Sequence, residues 1–255
     1  MTGLLDLITP LQIVMAFGIA LLAGLIKGMV GFAMPMIMIS GLTLFLPPEL
    51  ALAGLLLPTV ATNALQALRQ GPAAAWSSVG RFRVFLIVGG IFLFLSAQLV
   101  TVLSVQALLL LIGVPISFFA LIQLLGLRFS LDEPKAWIEA AIGGIAGFIG
   151  GLSGVWGPPT VLYLTALNTP KSDQVRIQGV IYGLGAVALL IAHIGSGVLR
   201  WATLPLSIAL LAPALAGMWI GGRIHDRIEQ ETFRKITLVV LTVAGFNLVR
   251  RGLIG

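Results

Sequence analysis

Apolar residues run along this chain in long blocks rather than alternating with polar ones. The blocks cover 11–30, 32–46, 50–68, 82–103, 106–127, 137–154, 156–168, 174–194, 203–221 and 234–250. A helix needs about 20 apolar residues to cross a bilayer, and most blocks supply them, but the second and seventh are short. None shows the turn-punctuated alternation of a membrane barrel strand. Helices are then the way left to satisfy the backbone in lipid. Polar marks such as Pro47-Pro48-Glu49, Arg69-Gln70-Gly71-Pro72, Thr169-Pro170-Lys171 and Arg223 to Lys235 separate the blocks, and none is long enough for a soluble domain. The pattern predicts an all-α polytopic membrane protein.

Shifting the sequence by 123 residues lays Ala23-Gly24-Leu25-Ile26-Lys27-Gly28-Met29-Val30-Gly31-Phe32-Ala33-Met34-Pro35 over Ala146-Gly147-Phe148-Ile149-Gly150-Gly151-Leu152-Ser153-Gly154-Val155-Trp156-Gly157-Pro158. Pro47 then falls on Pro170 without a gap. Two repeats, 1–128 and 129–255, are the economical reading, and internal repeats mark many transporters. If all ten blocks cross, one side collects 12 of the 15 Lys and Arg, leaving Arg200, Arg250 and Arg251 opposite. If the two short blocks dip and return on one side, the split is eight against seven. Basic residues gather on the cytoplasmic side. The expected topology is therefore five segments per half, both termini outside and, five being odd, an inverted repeat.

Composition agrees: 58% of the 255 residues are hydrophobic, 9% are charged and mean hydropathy is +1.09. A soluble domain would carry about 25% charged residues. The net charge of +6 reflects loop basic residues rather than a nucleic-acid partner. Cysteine is absent, which excludes thiolate chemistry and disulfides, and neither His193 nor His225 has a second His placed to make a metal site. No cofactor is expected. Met1 to Pro10 holds Asp6 and no Lys or Arg, so the first block is expected to be mature structure rather than a signal peptide.

Each half breaks between its first and second segments at a Gly-rich turn followed by a short helix beginning near a Pro. Pro35 and Pro158 are placed where Pro costs least, and the free N–H groups and dipole of such a helix start favour an anion. Glycines of the breaks could also be close-packing contacts between helices, the expectation for Gly24, Gly28, Gly147 and Gly151. Gly31 and Gly154, beside the short helices, point to a site. Carboxylates fall in or beside loops, with Glu139 at the edge of the sixth block and none at mid-membrane. Cation transporters and proton pumps usually need one there, which favours an anionic or neutral substrate. Lys27 lies within an apolar run; its natural partner is a bound anion, unless it snorkels to the interface. Thr59, Asn63 and Gln66 share one face of the third block, and Gln178 and Tyr182 make a similar pair in the eighth. Such stripes line a substrate path or glue helices together.

The strings Gly24-x-x-x-Gly28-x-x-Gly31-x-x-x-Pro35 and Gly147-x-x-x-Gly151-x-x-Gly154-x-x-Gly157-Pro158 resemble the duplicated motif of the sulfite exporter TauE/SafE family of small membrane permeases. Where that family usually has adjacent glycines before the Pro, this chain has Phe32-Ala33-Met34 and Val155-Trp156-Gly157. The resemblance spans nearly the whole chain. It implies a secondary permease in the cytoplasmic membrane moving a small sulfur-containing anion such as sulfite, thiosulfate or an organosulfonate. The expected substrate-binding residues are Lys27, Gly28, Gly31, Pro35, Asn63, Gly151, Ser153, Gly154, Pro158 and Gln178. The expected partners are a small anion and the lipid bilayer, with a homo-oligomer left open. A rival reading takes Gly151-Leu152-Ser153-Gly154 and His193, which are similar to the Ser and His motifs of rhomboid intramembrane proteases, as a Ser–His dyad.

Overall fold

The computed structural model describes residues 8–101, 103–126, 131, 133, 135–153, 156–167, 169–225, 227 and 229–254. Helix makes up 84% of it and no strand is present among the described residues. In chain order the α-helices are α1 (Pro10–Val30), α2 (Met34–Leu42), α3 (Pro48–Ala67), α4 (Pro72–Arg81), α5 (Arg83–Ala97), α6 (Val105–Leu124), α7 (Ala136–Ser153), α8 (Gly157–Ala166), α9 (Lys171–Gly195), α10 (Leu204–His225) and α11 (Gln230–Ile254). Each apolar block carries a helix. Among the described residues, four spans are long and apolar enough to cross a membrane: Pro10–Val30, Pro48–Gln70, Asp173–Gly195 and Leu204–Ile224. The bent pair α4 and α5 can supply a fifth.

Helix α4 has no counterpart among the expected segments: it follows the polar mark Arg69-Gln70-Gly71-Pro72 and lies between the third and fourth apolar blocks. Gly71 at φ 88° turns the chain, Pro72 opens the helix, and α4 meets α5 at 78°. With Trp76 77% exposed on a short helix ending at Arg81, α4 has the makings of an interfacial element. Arg176 of α9 holds it, donating through Nε to Ser78 Oγ at 3.2 Å while its Nη1 pairs with Asp173 at 2.9 Å.

Helix pairing follows small residues. Helix α1 lies against α10, where a Cβ on Gly24 or Gly28 would collide with the carbonyls of Ala214 or Met218, and one on Gly217 or Gly221 with those of Leu21 or Leu25. Helix α7 lies against α5 in the same way, through Gly147 and Gly89. Helix α6 packs on α11 and α3 on α9. Without a hydrophobic drive between helices in lipid, such backbone contact is what dispersion and weak polar bonds can use. Large apolar side chains such as Ile87, Leu95, Phe118 and Ile191 stay on the outside, as a lipid-facing surface requires.

In both halves the end of the short helix lies beside the start of the long helix before it. Gln12 Nε2 donates to Phe45 O at 2.9 Å, tying the start of α1 to the far end of α2, and Leu131 N–H donates to Ala166 O at 2.7 Å beside the end of α8. Pro58 inside α3 leaves the Gly54 carbonyl without its i+4 donor. Ser207 of α10 fills that gap, donating to Gly54 O at 3.4 Å while accepting from Leu57 N–H at 3.1 Å. The seam fixes α3, with its polar face, against α10.

Candidate functional site

Helix α1 ends at Gly31, whose φ of 82° lets its N–H close on Lys27 O at 2.7 Å. Two residues on, Ala33 sits at φ 78°, the one non-Gly residue in the left-handed region among those described, and α2 then opens with Pro35 in its first turn. The C-terminal end of α1 and the N-terminal end of α2 thus meet inside the protein, a non-helical turn enclosed by other helices.

Lys27 sits at this junction. Its side chain is 1% exposed, so it does not snorkel. The ammonium donates to Oδ1 of Asn63 on α3, itself 0% exposed, and no carboxylate among the described residues lies within ion-pair distance. The carbonyl end of α1 offsets part of the charge. A buried ammonium with one neutral amide partner is expensive, and the low-dielectric surroundings that make it so also strengthen its pull on an anion. Three further polar atoms gather nearby without a hydrogen-bond partner: Asn63 Nδ2, Gln66 Oε1 and Gln178 Oε1. The two Gln flank Gly31, where a Cβ would stand 2.9 Å from Gln178 Oε1 and 3.1 Å from Gln66 Nε2. Such buried groups ordinarily find partners.

Lys27 borders two cavities. The inner one, about 10 Å³, is walled by Phe32, Pro35, Asn63, Trp156 and Tyr182, and has room for about one water molecule. The outer one, about 310 Å³, reaches Lys27 past Gly31, Gln66, Arg69 and Arg223. In the inner wall Trp156 stacks on Tyr182 with ring centres 6.5 Å apart, and Tyr182 Oη donates to Gly157 O at 3.2 Å. The indole lies over Gly150 and Gly185, 2.8 Å from where a Cβ on the latter would be. In the shifted alignment Gly150 is the counterpart of Lys27. One half supplies a cation where the other supplies space, and an aromatic ring fills that space.

The structure gathers Lys27, Gly31, Pro35, Asn63 and Gln178 at the first break. It does not bring Gly151 there: a Cβ on it would overlap Leu93 O and Ser96, and its carbonyl oxygen lies 3.2 Å from His193 Nε2, so it packs at the contact between α7 and α5. Gly28 also packs, against α10, though it borders the outer cavity. Gly154 lies outside the described residues, as do the side chains of Ser153 and Pro158. Both ring nitrogens of His193 are engaged, Nδ1 with Ser196 Oγ at 3.2 Å, and nothing supports a protease dyad. Sequence reasoning paired Tyr182 with Gln178 as a stripe that could line a path, but missed its stacking with Trp156 and missed Arg69 and Arg223 as lining. Only the break motif gave a signal, by placing Phe32 and Trp156 at bulky departures from glycine.

Among the described residues, a helical architecture with four to five apolar spans and a buried lysine at a helix break defines a polytopic membrane protein. The chain belongs to the sulfite exporter TauE/SafE family, whose family model matches residues 16–248. Comparisons with curated proteins and with solved structures find no match.

Proposed function

We propose that the protein is a secondary permease that moves a small sulfur-containing anion, sulfite, thiosulfate or an organosulfonate, across the cytoplasmic membrane by alternating access. The observation that carries this reading is Lys27: a buried ammonium without a carboxylate partner among the described residues, bordering an inner and an outer cavity. Its missing counter-charge is the substrate. Asn63 Nδ2 and the first turn of α2 around Pro35 supply neutral donors beside it, and Gln178 the polar wall beyond Gly31. Family membership favours an oxyanion of sulfur over other anions.

The two halves, 1–128 and 129–255, are read as inverted repeats. The pairing of helices supports the duplication, and the basic-residue asymmetry the inversion: the shift carries α1 onto α7 and α5 onto α10, so the α1–α10 contact and the α7–α5 contact are the same contact seen twice. The α3–α9 and α6–α11 pairs join counterparts to each other, as a pseudo-two-fold axis would. Rocking of such halves about Lys27 would open the site to either face, with the arginine-bearing end cytoplasmic.

The test is flux of labelled sulfite, thiosulfate and a small sulfonate into proteoliposomes. Saturable flux of at least one anion is expected; a rate equal to that of protein-free liposomes for all three defeats the reading.

A further inference from the structure

We infer that the outer cavity is a second oxyanion site, held by Arg69 and Arg223, which loads substrate before it reaches Lys27. This rests on the reading of Lys27 as the inner site and adds a binding step on the path to it.

The cavity, about 310 Å³, is bordered by α1, α3 and α10, and its lining carries three cations, Lys27, Arg69 and Arg223, with no carboxylate among the described residues. That volume admits a multi-atom oxyanion with part of its hydration, unlike the inner cavity of about 10 Å³. The guanidinium of Arg223 lies 3.8 Å above the ring of Trp219, one turn earlier on α10. Stacking on an aromatic face restricts the guanidinium while leaving its N–H edge free for oxygen. Arg69 sits in the 3-10 turn Leu68–Gln70 that ends α3, and Gln66, one turn earlier, donates to Val175 O at 2.9 Å, pinning that end to α9. The Arg223 guanidinium is held against Trp219, and the backbone that carries Arg69 is pinned to α9, so two guanidinium groups from separate elements flank one opening.

Both halves of the physics point to an anion. Like charges in a cleft with low-dielectric walls focus potential and raise the local concentration of counter-ions. Guanidinium binds oxyanions through paired N–H donors, which a lysine cannot do. A path with two sites in series lets an ion bind firmly enough to enter yet leave when the next site takes it. Entry through Arg69 and Arg223, then transfer past Gly31 to Lys27 and Asn63, has that form.

The absence of cysteine permits a direct test. Leu65 lines the cavity and is 59% exposed, so Leu65→Cys places a thiol at its wall. Its modification by an anionic sulfonatoethyl thiosulfonate is compared with that by the cationic trimethylammonium analogue, each scaled to a free thiol. The anionic reagent is expected to be favoured about tenfold. That preference should fall most of the way to the free-thiol value in Arg69→Gln/Arg223→Gln, where Lys27 alone remains, and persist in Arg69→Lys/Arg223→Lys. Sulfate, which is inert to the reagents, should slow modification saturably in the parent and equally in Lys27→Gln, but not in the Gln pair. Protection in Lys27→Gln reports the outer site alone, so it stands or falls apart from flux. A reagent preference untouched by the Gln pair, no protection by sulfate in the parent, or protection lost with Lys27 alone would each overturn the inference.

Discussion

Lys27 on α1 donates a hydrogen bond to Asn63 Oδ1 on α3, and both side chains are buried. That bond positions the ammonium without neutralising it, since an amide oxygen carries no formal charge. The site therefore keeps a charge free for a ligand. Asn63→Asp should remove that freedom by supplying an internal counter-ion, and affinity for the transported anion should fall by about tenfold or more. Asn63→Ala, which removes the bond and leaves the charge, should fall less. Equilibrium binding in nanodiscs separates the two.

Gly31 is required for two reasons that act together. Its φ of 82° is costly for an L side chain, and a Cβ would press on Gln178 Oε1 at 2.9 Å. Gly31→Ala should destabilise the protein by about 1–3 kcal/mol and reduce transport as Gln178 is displaced. Thermal unfolding in detergent gives the first quantity, and uptake gives the second.

Ser207 closes the gap that Pro58 opens in α3 by bonding Gly54 O and Leu57 N–H. Ser207→Ala is expected to cost about 1 kcal/mol. Pro58→Ala restores the missing N–H, so adding it to Ser207→Ala should recover part of that loss. Unfolding midpoints of the single and double variants decide the coupling.

The inner cavity is small because the Trp156 indole fills the slot over Gly150 and Gly185 and stacks on Tyr182. Trp156→Phe keeps a ring there and reduces its bulk. Transport of a longer organosulfonate relative to sulfite should improve by about tenfold, measured as the ratio of kcat/KM values in competing uptake.

Much of this architecture was legible from residue order alone. Long apolar blocks predict helices because only helices satisfy the backbone in lipid, and all the expected segments carry one. Lys27 stood out because charge is rare within an apolar run. The limits were physical too. Helix α4 is short, and its Gly71-Pro72 start falls in the polar mark that separates two apolar blocks, so no helix is signalled there. Glycines at i, i+4 spacing serve equally for close packing and for a ligand; only the neighbours distinguish Gly31, facing Gln178, from Gly24 and Gly147, which meet backbone. Trp156 and Tyr182 lie 26 positions apart, and their stacking needs the tertiary fold that sets α8 beside α9.

Glu139 marks a different use of a buried charge. Its Oε1 accepts from Phe85 N–H at 3.0 Å, in the first turn of α5, where the helix dipole favours an anion. Glu139→Ala should cost about 1–3 kcal/mol in unfolding measurements without the loss of anion affinity expected at Lys27.

The central claim is that Lys27 is held buried at a cost that a bound anion repays. The most direct measurement is the thermal stability of the wild type and Lys27→Gln, with and without thiosulfate. A buried cation without a counter-charge destabilises, so Lys27→Gln should be at least as stable as the wild type in the absence of anion. The wild-type midpoint should rise as thiosulfate saturates, and that of Lys27→Gln should not move. An equal rise in both proteins would contradict the account.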